Sequence, residues 1–341
     1  MITIDGARGE GGGQVLRTAL ALSLVTGTAF TLLNARAARP NPGLRPQHLA
    51  ALLAAATVGS ADVEGADLGS RRVVFQPRGV RAGEYRFDVG TAGSATLVAQ
   101  TVLPPLLLAS VGSALTFEGG THNPMAPPFD FLARAFFPMI ERMGPRLDAA
   151  LDRYGFYPAG AGRFTVRITP VSRLVPLDVG ERGDVVRRHA RAIVARLPSR
   201  IAERELAVVQ RILGWPADEL ETVVVERSAS PGNAVTLDVT SARITEVFSA
   251  IGARGVPAEI VAERAAVDAR DYLATGVPVG RHLADQFLVP LALAGGGGFV
   301  TFPLTLHATT NADVIRAFLD IEFRTATPRA GVVRVDVAPR G

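Results

Sequence analysis

Five histidines, His48, His122, His189, His282 and His307, carry most of the proton-transfer and nucleophilic capacity of this chain near neutral pH. The chain has no cysteine and no lysine, so all 36 basic residues are arginines. Arginine holds its proton and makes a poor covalent nucleophile. Thiol catalysis, thiolate zinc sites, pyridoxal Schiff bases, the P-loop lysine and lysyl-nucleotide chemistry are therefore excluded. Nucleophilic work falls to histidine, carboxylates and hydroxyls. His307 stands in Leu306-His307-Ala308-Thr309-Thr310-Asn311, read as a polar loop just past a strand. A neutral imidazole placed there among hydroxyls and an amide can attack phosphorus. A structural histidine fits the same spacing.

Four further clusters carry chemistry. Gly9-Glu10-Gly11-Gly12-Gly13-Gln14 precedes a helix. Glycines let a backbone approach closely, and a helix N-terminus attracts phosphate. Glu10 would hold a divalent cation beside such phosphates, since hard cations prefer carboxylate oxygen. A plain structural turn explains the glycines equally well. Arg36, Arg39 and His48 occupy Ala35-Arg36-Ala37-Ala38-Arg39-Pro40 and the helix start that follows, with prolines and a glycine between them. This suits a phosphate-binding loop, because the guanidinium fork matches phosphate oxygens, and it suits a solvated basic loop too. His122 lies in Gly119-Gly120-Thr121-His122-Asn123-Pro124, where a ligand or a turn residue both fit. His282-Leu283-Ala284-Asp285-Gln286 opens a helix. Asp285 there either offsets the helix dipole, orients a histidine, or binds a ribose or metal.

These clusters recur in like places along the chain. Gly9 to Ala56, Gly90 to Phe137 and Pro278 to Leu319 each run from a glycine-rich or polar lead through an apolar helix, a short strand and a polar loop. The strand-like runs are Phe30 to Leu33, Ala114 to Phe117 and Phe299 to Phe302. Helices apolar on all sides are buried helices. Repeated units of this kind predict sheets packed around buried helices, with their loops gathered at one cleft. Arg72 to Phe75, Tyr85 to Val89 and Arg163 to Ile168 are alternating runs that read as strands after the first two units. The stretch from Arg182 to Thr275 is charged and breaks the pattern, with helices at Ile201 to Leu213 and Ala258 to Leu273 and strands at Glu221 to Glu226 and Ala234 to Val239. It reads as a small α/β domain at 182–275 inserted into a body of 1–181 and 276–341.

Composition sets the remaining bounds. The chain has 341 residues, 48% hydrophobic and 20% charged, which suits a well-buried core and excludes disorder. No apolar run approaches the roughly 18–20 residues of a membrane span. Met1 to Gly6 lacks the basic and apolar stretches of a signal peptide, so a cytoplasmic protein is expected. The net charge of +4 favours an anionic partner only weakly.

Taken together, Asp5–Ser23 (DGARGEGGGQVLRTALALS), Arg36–Leu49, Gly93–Pro104, Gly119–Phe131, Arg153–Gly162, His282–Gln286 and Leu306–Asn311 resemble the RNA 3'-terminal phosphate cyclase family, in family order and over nearly the whole chain. The resemblance implies an α/β fold of the α+β type: three two-helix, four-strand units with a smaller α/β domain inserted before the third. It implies an ATP-dependent ligase that turns an RNA 3'-phosphate into a 2',3'-cyclic phosphate. A histidine takes AMP from ATP, AMP passes to the RNA phosphate, and the vicinal 2'-hydroxyl closes the ring. By this resemblance His307 is the nucleophile, and Glu10 the carboxylate on Mg²⁺ or Mn²⁺ at the ATP phosphates. Gln100, His282, Leu283, Ala284, Asp285 and Gln286 fall at the nucleotide site. Arg36, Arg39 and His48 fall near the phosphates and the RNA end. Position 282 is often tyrosine in relatives, and an imidazole there is a smaller platform for adenine. The implied partners are ATP and RNA with a 3'-phosphate end, without a membrane, and a homodimer is left open. A non-catalytic relative in ribosomal RNA processing lacks the histidine that this chain has. Enolpyruvyl transferases share the repeat but rely on lysines. A plain RNA-binding protein would show aromatic clusters and a higher charge.

Overall fold

The computed structural model describes residues 1–341 and contains four four-stranded sheets backed by helices. The first sheet has the order β1-β2-β4-β3, from β1 (Ile2–Asp5), β2 (Phe30–Leu33), β3 (Asp62–Glu64) and β4 (Val73–Gln76). β1 and β2 are parallel and joined by α1 (Gly13–Thr26), while β4 lies antiparallel to β2 and β3. α2 (Pro46–Gly59) connects β2 to β3. The second sheet repeats that order as β5-β6-β8-β7, from β5 (Glu84–Asp88), β6 (Ser113–Gly119), β7 (Arg146–Arg153) and β8 (Gly162–Thr169). α3 (Ala95–Leu107) joins its parallel pair. α4 (Phe129–Phe131) runs through a π turn, Leu132–Phe136, into α5 (Phe137–Glu141) ahead of β7.

β9 (Leu177–Val179) then leaves its sheet unfinished. The chain goes on to build a different sheet, β11-β10-β12-β13, from β10 (Val185–Ala195), β11 (Leu220–Val225), β12 (Gly232–Ser241) and β13 (Thr245–Ile251), with α6 (Arg200–Leu213) and α7 (Ala258–Thr275) against it. Only after α8 (Arg281–Leu293) does β14 (Gly297–Thr301) pair parallel with β9. α9 (Leu306–Phe318), β15 (Ile321–Arg329) and β16 (Val332–Pro339) complete that sheet in the order β15-β16-β14-β9.

The local sequence explains which helices go inside. α1 and α3 carry apolar residues on every side, so both bury nearly their full length. Gly27, at φ 68°, stops α1 in the left-handed conformation that glycine adopts without strain. Ser94 starts α3 by accepting the Leu97 N–H at 3.2 Å. α6 is amphipathic instead: Ala202, Leu206 and Val209 face the β10–β13 sheet, Glu205 is buried against Asn233, and Arg200, Glu203, Arg204 and Arg211 face out. The largest core cluster joins α3 and α8 to the β5–β8 sheet and to β14 through Val98, Leu106, Phe117, Leu283, Phe287 and Phe299. The β10–β13 sheet has its own core around Trp215, Leu237, Val209 and Tyr272. No helix is long and apolar enough to cross a membrane.

The structure corrects two expectations. β10 and β13 lie in stretches where no strand was expected; β10 carries arginines and a histidine among its apolar residues, which masks the alternation. His307 is not in a loop past a strand: it lies in the first turn of α9.

Candidate active site

α1, α3, α8, α9, the 123–128 loop and β13 enclose a cleft of about 500 Å³. His307 reaches it from the start of α9, where Thr305 accepts the Ala308 N–H at 3.2 Å and fixes the first turn. The imidazole is half exposed. Its Nδ1 lies 3.1 Å from Oε1 of Gln14 on α1. Gln14 in turn donates through Nε2 to Oδ1 of the buried Asp285 on α8, at 2.5 Å. A carboxylate only accepts, so the Gln14 amide nitrogen faces Asp285 and its oxygen faces His307. His307 Nδ1 is therefore the protonated nitrogen, and Nε2 keeps its lone pair for the cleft.

Asp285 is held from several sides. Asn311 on α9 donates to its backbone oxygen at 3.0 Å and its Oδ1 at 3.2 Å, and Thr18 on α1 fixes Asn311 with a 2.7 Å bond. Gln286 Nε2 donates to Asp285 Oδ2 at 3.4 Å, and Gln100 on α3 donates to Gln286. Side chains from four helices thus form one string, Gln100–Gln286–Asp285–Gln14–His307. Burial pushes the Asp285 carboxyl above its ordinary range, and its hydrogen bonds from Gln14 and Asn311, with the charges of His307 and Arg17, oppose that. His307 is held below the ordinary imidazole value, mainly by burial and further by Arg39 and Arg17, against the pull of Asp285. A depressed value keeps Nε2 unprotonated at neutral pH.

Glu10 and Arg39 occupy the other side of His307. Glu10 Oε1 lies 3.6 Å from His307 Nε2, and Arg39 sits against the same oxygen. Both Glu10 oxygens are buried without a hydrogen-bond partner of good geometry. The Glu10 N–H donates to Thr310 Oγ1 at 2.9 Å, locking the glycine loop to α9. Gly9 and Gly11 both have positive φ, and side chains there would overlap Thr310 and Ala38. Any larger residue would push Glu10 away from His307.

The other expected residues divide. His282 and Gln286 line the cleft with Gln100 and Asp285, and Arg281 stands over the Phe302 ring at 3.9 Å. Leu283 and Ala284 are buried in the core, so their side chains do not face the cleft. Arg36 turns inward and donates to the carbonyls of Asn41 and Gly43 at 2.7 and 2.9 Å, which rigidifies its own loop. His48 is buried at the third position of α2, where its Nδ1 accepts the Arg45 N–H at 3.2 Å. Burial, with Arg17, Arg36 and Arg45 nearby, drives it down to about 3, so it is a neutral ring. His122 is fully buried between Thr121 Oγ1 at 2.9 Å and Asp130 at 2.7 Å, a structural histidine.

Sequence reasoning missed Arg17 and Thr18, and gave Gln14 and Asn311 no role of their own. Arg17 lines the cleft; burial lowers it to about 10, so it is still a cation at pH 7. The signal was present: Gln14, Arg17 and Thr18 are spaced as one face of an otherwise apolar helix.

The chain matches the RNA 3'-terminal phosphate cyclase family over residues 8–325. It is 53% identical over 323 residues to the RNA 3'-terminal phosphate cyclase of Koribacter versatilis, covering 95% of this chain and 91% of that one. It is 46% identical over 336 residues to that of Ectopseudomonas mendocina, covering 98% of each chain. Among solved structures, the enolpyruvyl transferase NikO from Streptomyces tendae aligns at a TM-score of 0.38 with 11% identity, covering 98% of this chain and 48% of that one, too low to argue from.

Proposed function

The chain belongs to the RNA 3'-terminal phosphate cyclase family and is an enzyme of that kind, and we propose that it works through ATP and a covalent histidyl-AMP. The observation that carries this reading is the hydrogen bond from His307 Nδ1 to Gln14, which leaves Nε2 as the one free nitrogen on the cleft. His307 Nε2 attacks the α-phosphorus of ATP, the P–N bond forms, and the bond to the β-phosphate breaks with release of pyrophosphate. An oxygen of the RNA 3'-phosphate then displaces His307 from phosphorus. The 2'-hydroxyl finally attacks the activated 3'-phosphate, loses its proton, and expels AMP.

Each side chain has a task. Gln14 holds the His307 tautomer, and Asp285 steadies the positive charge that the ring gains as it attacks. Arg17 and Arg39 offset phosphate charge without giving up protons. His282, Gln100 and Gln286 face the nucleoside end of the cleft. Arg36 and His48 support the phosphate region, Arg36 by shaping its loop and His48 by filling the space against Gly13. Glu10 is the group that would hold Mg²⁺ or Mn²⁺, and its buried Oε2, which has no partner, suits that, while Oε1 faces Arg39. One protein carboxylate with phosphate oxygens and water is a common magnesium site, and the ion would neutralise phosphate charge there. We also read 182–275 as an inserted domain on a body of 1–181 and 276–341, in a cytoplasmic enzyme, with a homodimer open.

The test is transfer of label from α-labelled ATP, with Mg²⁺ or Mn²⁺, to denatured protein. Wild type should hold acid-labile, alkali-stable label, His307→Ala should hold none, and adding 3'-phosphorylated RNA should discharge it. Unlabelled wild type that still binds ATP with either metal would sink the histidyl-AMP mechanism.

A further inference from the structure

A second cavity, of about 390 Å³, is lined by Asp152, Arg153, Tyr154, Arg163, Val225 and Arg227. It lies between the end of β7 and the edge strand β11, where the two sheets meet. Three guanidinium groups and one carboxylate share it, so its lining is cationic. Arg227 makes no hydrogen bond or ion pair, and Arg153 has only the Ala161 carbonyl. Arg163 lies 2.9 Å from Glu118, a carboxylate it shares with Arg86. Two guanidinium groups without a carboxylate partner, facing one cavity, leave forks free for oxyanions. Burial, with Asp130 nearby, pushes Tyr154 up to about 12, so its hydroxyl stays a neutral donor.

This cavity is close to the catalytic cleft along the chain and in space. Asn123 and the residues to Pro128 line the cleft. Their neighbour His122 packs its ring 5.0 Å from that of Tyr154, which lines the second cavity. The Thr121 and His122 N–H groups both donate to the Gly155 carbonyl, at 3.0 and 3.1 Å. His122 and Tyr154 thus link the wall of one space to the wall of the other. An RNA whose 3'-phosphate lies at His307 must carry its remaining phosphates out of the cleft, and anionic backbone is drawn to unpaired arginine.

We propose that the Arg153–Arg163–Arg227 cavity binds a backbone phosphate of single-stranded substrate RNA, upstream of the reacting 3' end. The proposal rests on the cyclase reading for the identity of the polyanion. Its chemistry is that of a phosphate oxyanion, so a free polyphosphate is the competing source.

The test compares wild type with Arg227→Glu in the full chain. Binding of 3'-phosphorylated RNA of about ten nucleotides, a length in the range such grooves cover, is measured from low to moderate salt beside a dinucleotide 3'-phosphate. Arg227→Glu should weaken the longer RNA about tenfold and lower its log–log salt slope by about 0.7, the value for neutralising one phosphate fewer on a single strand. Dinucleotide affinity and labelling by ATP should not change. Arg153→Ala, which leaves Arg227 in place, should give a smaller loss on the longer RNA alone. Unchanged binding of the longer RNA, or equal losses on both lengths, overturns the proposal. So does loss of tripolyphosphate binding in Arg227→Glu with longer RNA unaffected, which would assign the cavity to a free anion. Failure of the cyclase reading shows separately, as wild type that neither takes label from ATP nor cyclises RNA.

Discussion

Gln14 is the pivot of the string that ends at His307, because one amide contacts both Asp285 and His307 Nδ1. Gln14→Ala should slow label transfer from ATP about 10- to 100-fold with ATP affinity retained, since it removes positioning and not charge. Gln14→Glu should act differently. A second anion beside His307 favours the imidazolium and raises its proton affinity, so Nε2 stays protonated to higher pH. The acid limb of the labelling reaction should then move up in pH relative to wild type, whose limb lies below the ordinary imidazole value because burial depresses His307. A profile that does not move would contradict the hydrogen bond. At this scale residue type marks His307, Glu10 and Asp285 as candidates, and only the family resemblance gives them roles. Gln14 and Arg17 were not legible, because their importance lies in what they touch across three helices.

α8 carries His282, Asp285 and Gln286, and its start is fixed from another sheet. Glu246 of β13 is buried and accepts the Gly280 N–H at 2.5 Å, where Gly280 is the helix cap. Burial pushes this carboxyl up to about 8, against the N–H bonds of Gly280 and Val247. The folded chain therefore keeps a proton at Glu246 that the unfolded chain releases near its usual value of 4.5. Stability from this group is present below about 4.5 and declines as pH rises toward 8. Glu246→Gln should abolish that decline and raise the melting temperature at pH 8. Glu246→Ala should lower it, because the Gly280 N–H is left unpaired, at a cost of about 1–3 kcal/mol. Thermal melts from pH 5 to 8 separate the two, and equal melts for both variants would refute the role. Buried helices and half of the sixteen strands, β2, β4, β5, β6, β8, β11, β12 and β14, were legible from local runs. The start of α9 was not: His307, Thr309 and Thr310 are weak helix formers, and the Thr305 cap outweighs them once Ala308, Ala312 and Ile315 find the core.

Across the whole molecule, the β10–β13 sheet closes the His307 cleft with Val247, Ser249, Ala250 and Ile251 of β13. Its seat is a charged junction: Arg134, in the π turn, pairs with Asp238 of β12 at 2.8 Å and with Asp130, and Arg191 of β10 reaches Asp238 at 3.3 Å. Asp238→Ala removes the carboxylate that two cations share, leaving Arg134 on Asp130 and Arg191 on Glu221, and should cost about 1–3 kcal/mol, the range for losing hydrogen bonds to a charged group. Amide exchange should quicken in β12 and β13, and label transfer should fall as the cleft wall loosens. Unchanged melting and exchange would show that the junction holds nothing. The sequence marks this stretch only as a charged break in the repeat. Its part in the cleft was not legible, because apposition of β13 to α8 and α1 belongs to tertiary packing and leaves no local pattern.

β9 meets its partner β14 only across the whole intervening segment, with Leu177 opposite Gly297. During synthesis, β9 leaves the ribosome long before β14 exists, so the last sheet is necessarily the last to form. Arg182 shortens the wait: it donates to the Tyr272 and Leu273 carbonyls at 3.1 and 3.2 Å and stacks on the Tyr272 ring, tying the two ends of the segment together. Once that tie is made, β14 arrives on a short tether, and the entropy of closing a long loop has already been spent inside a folded unit.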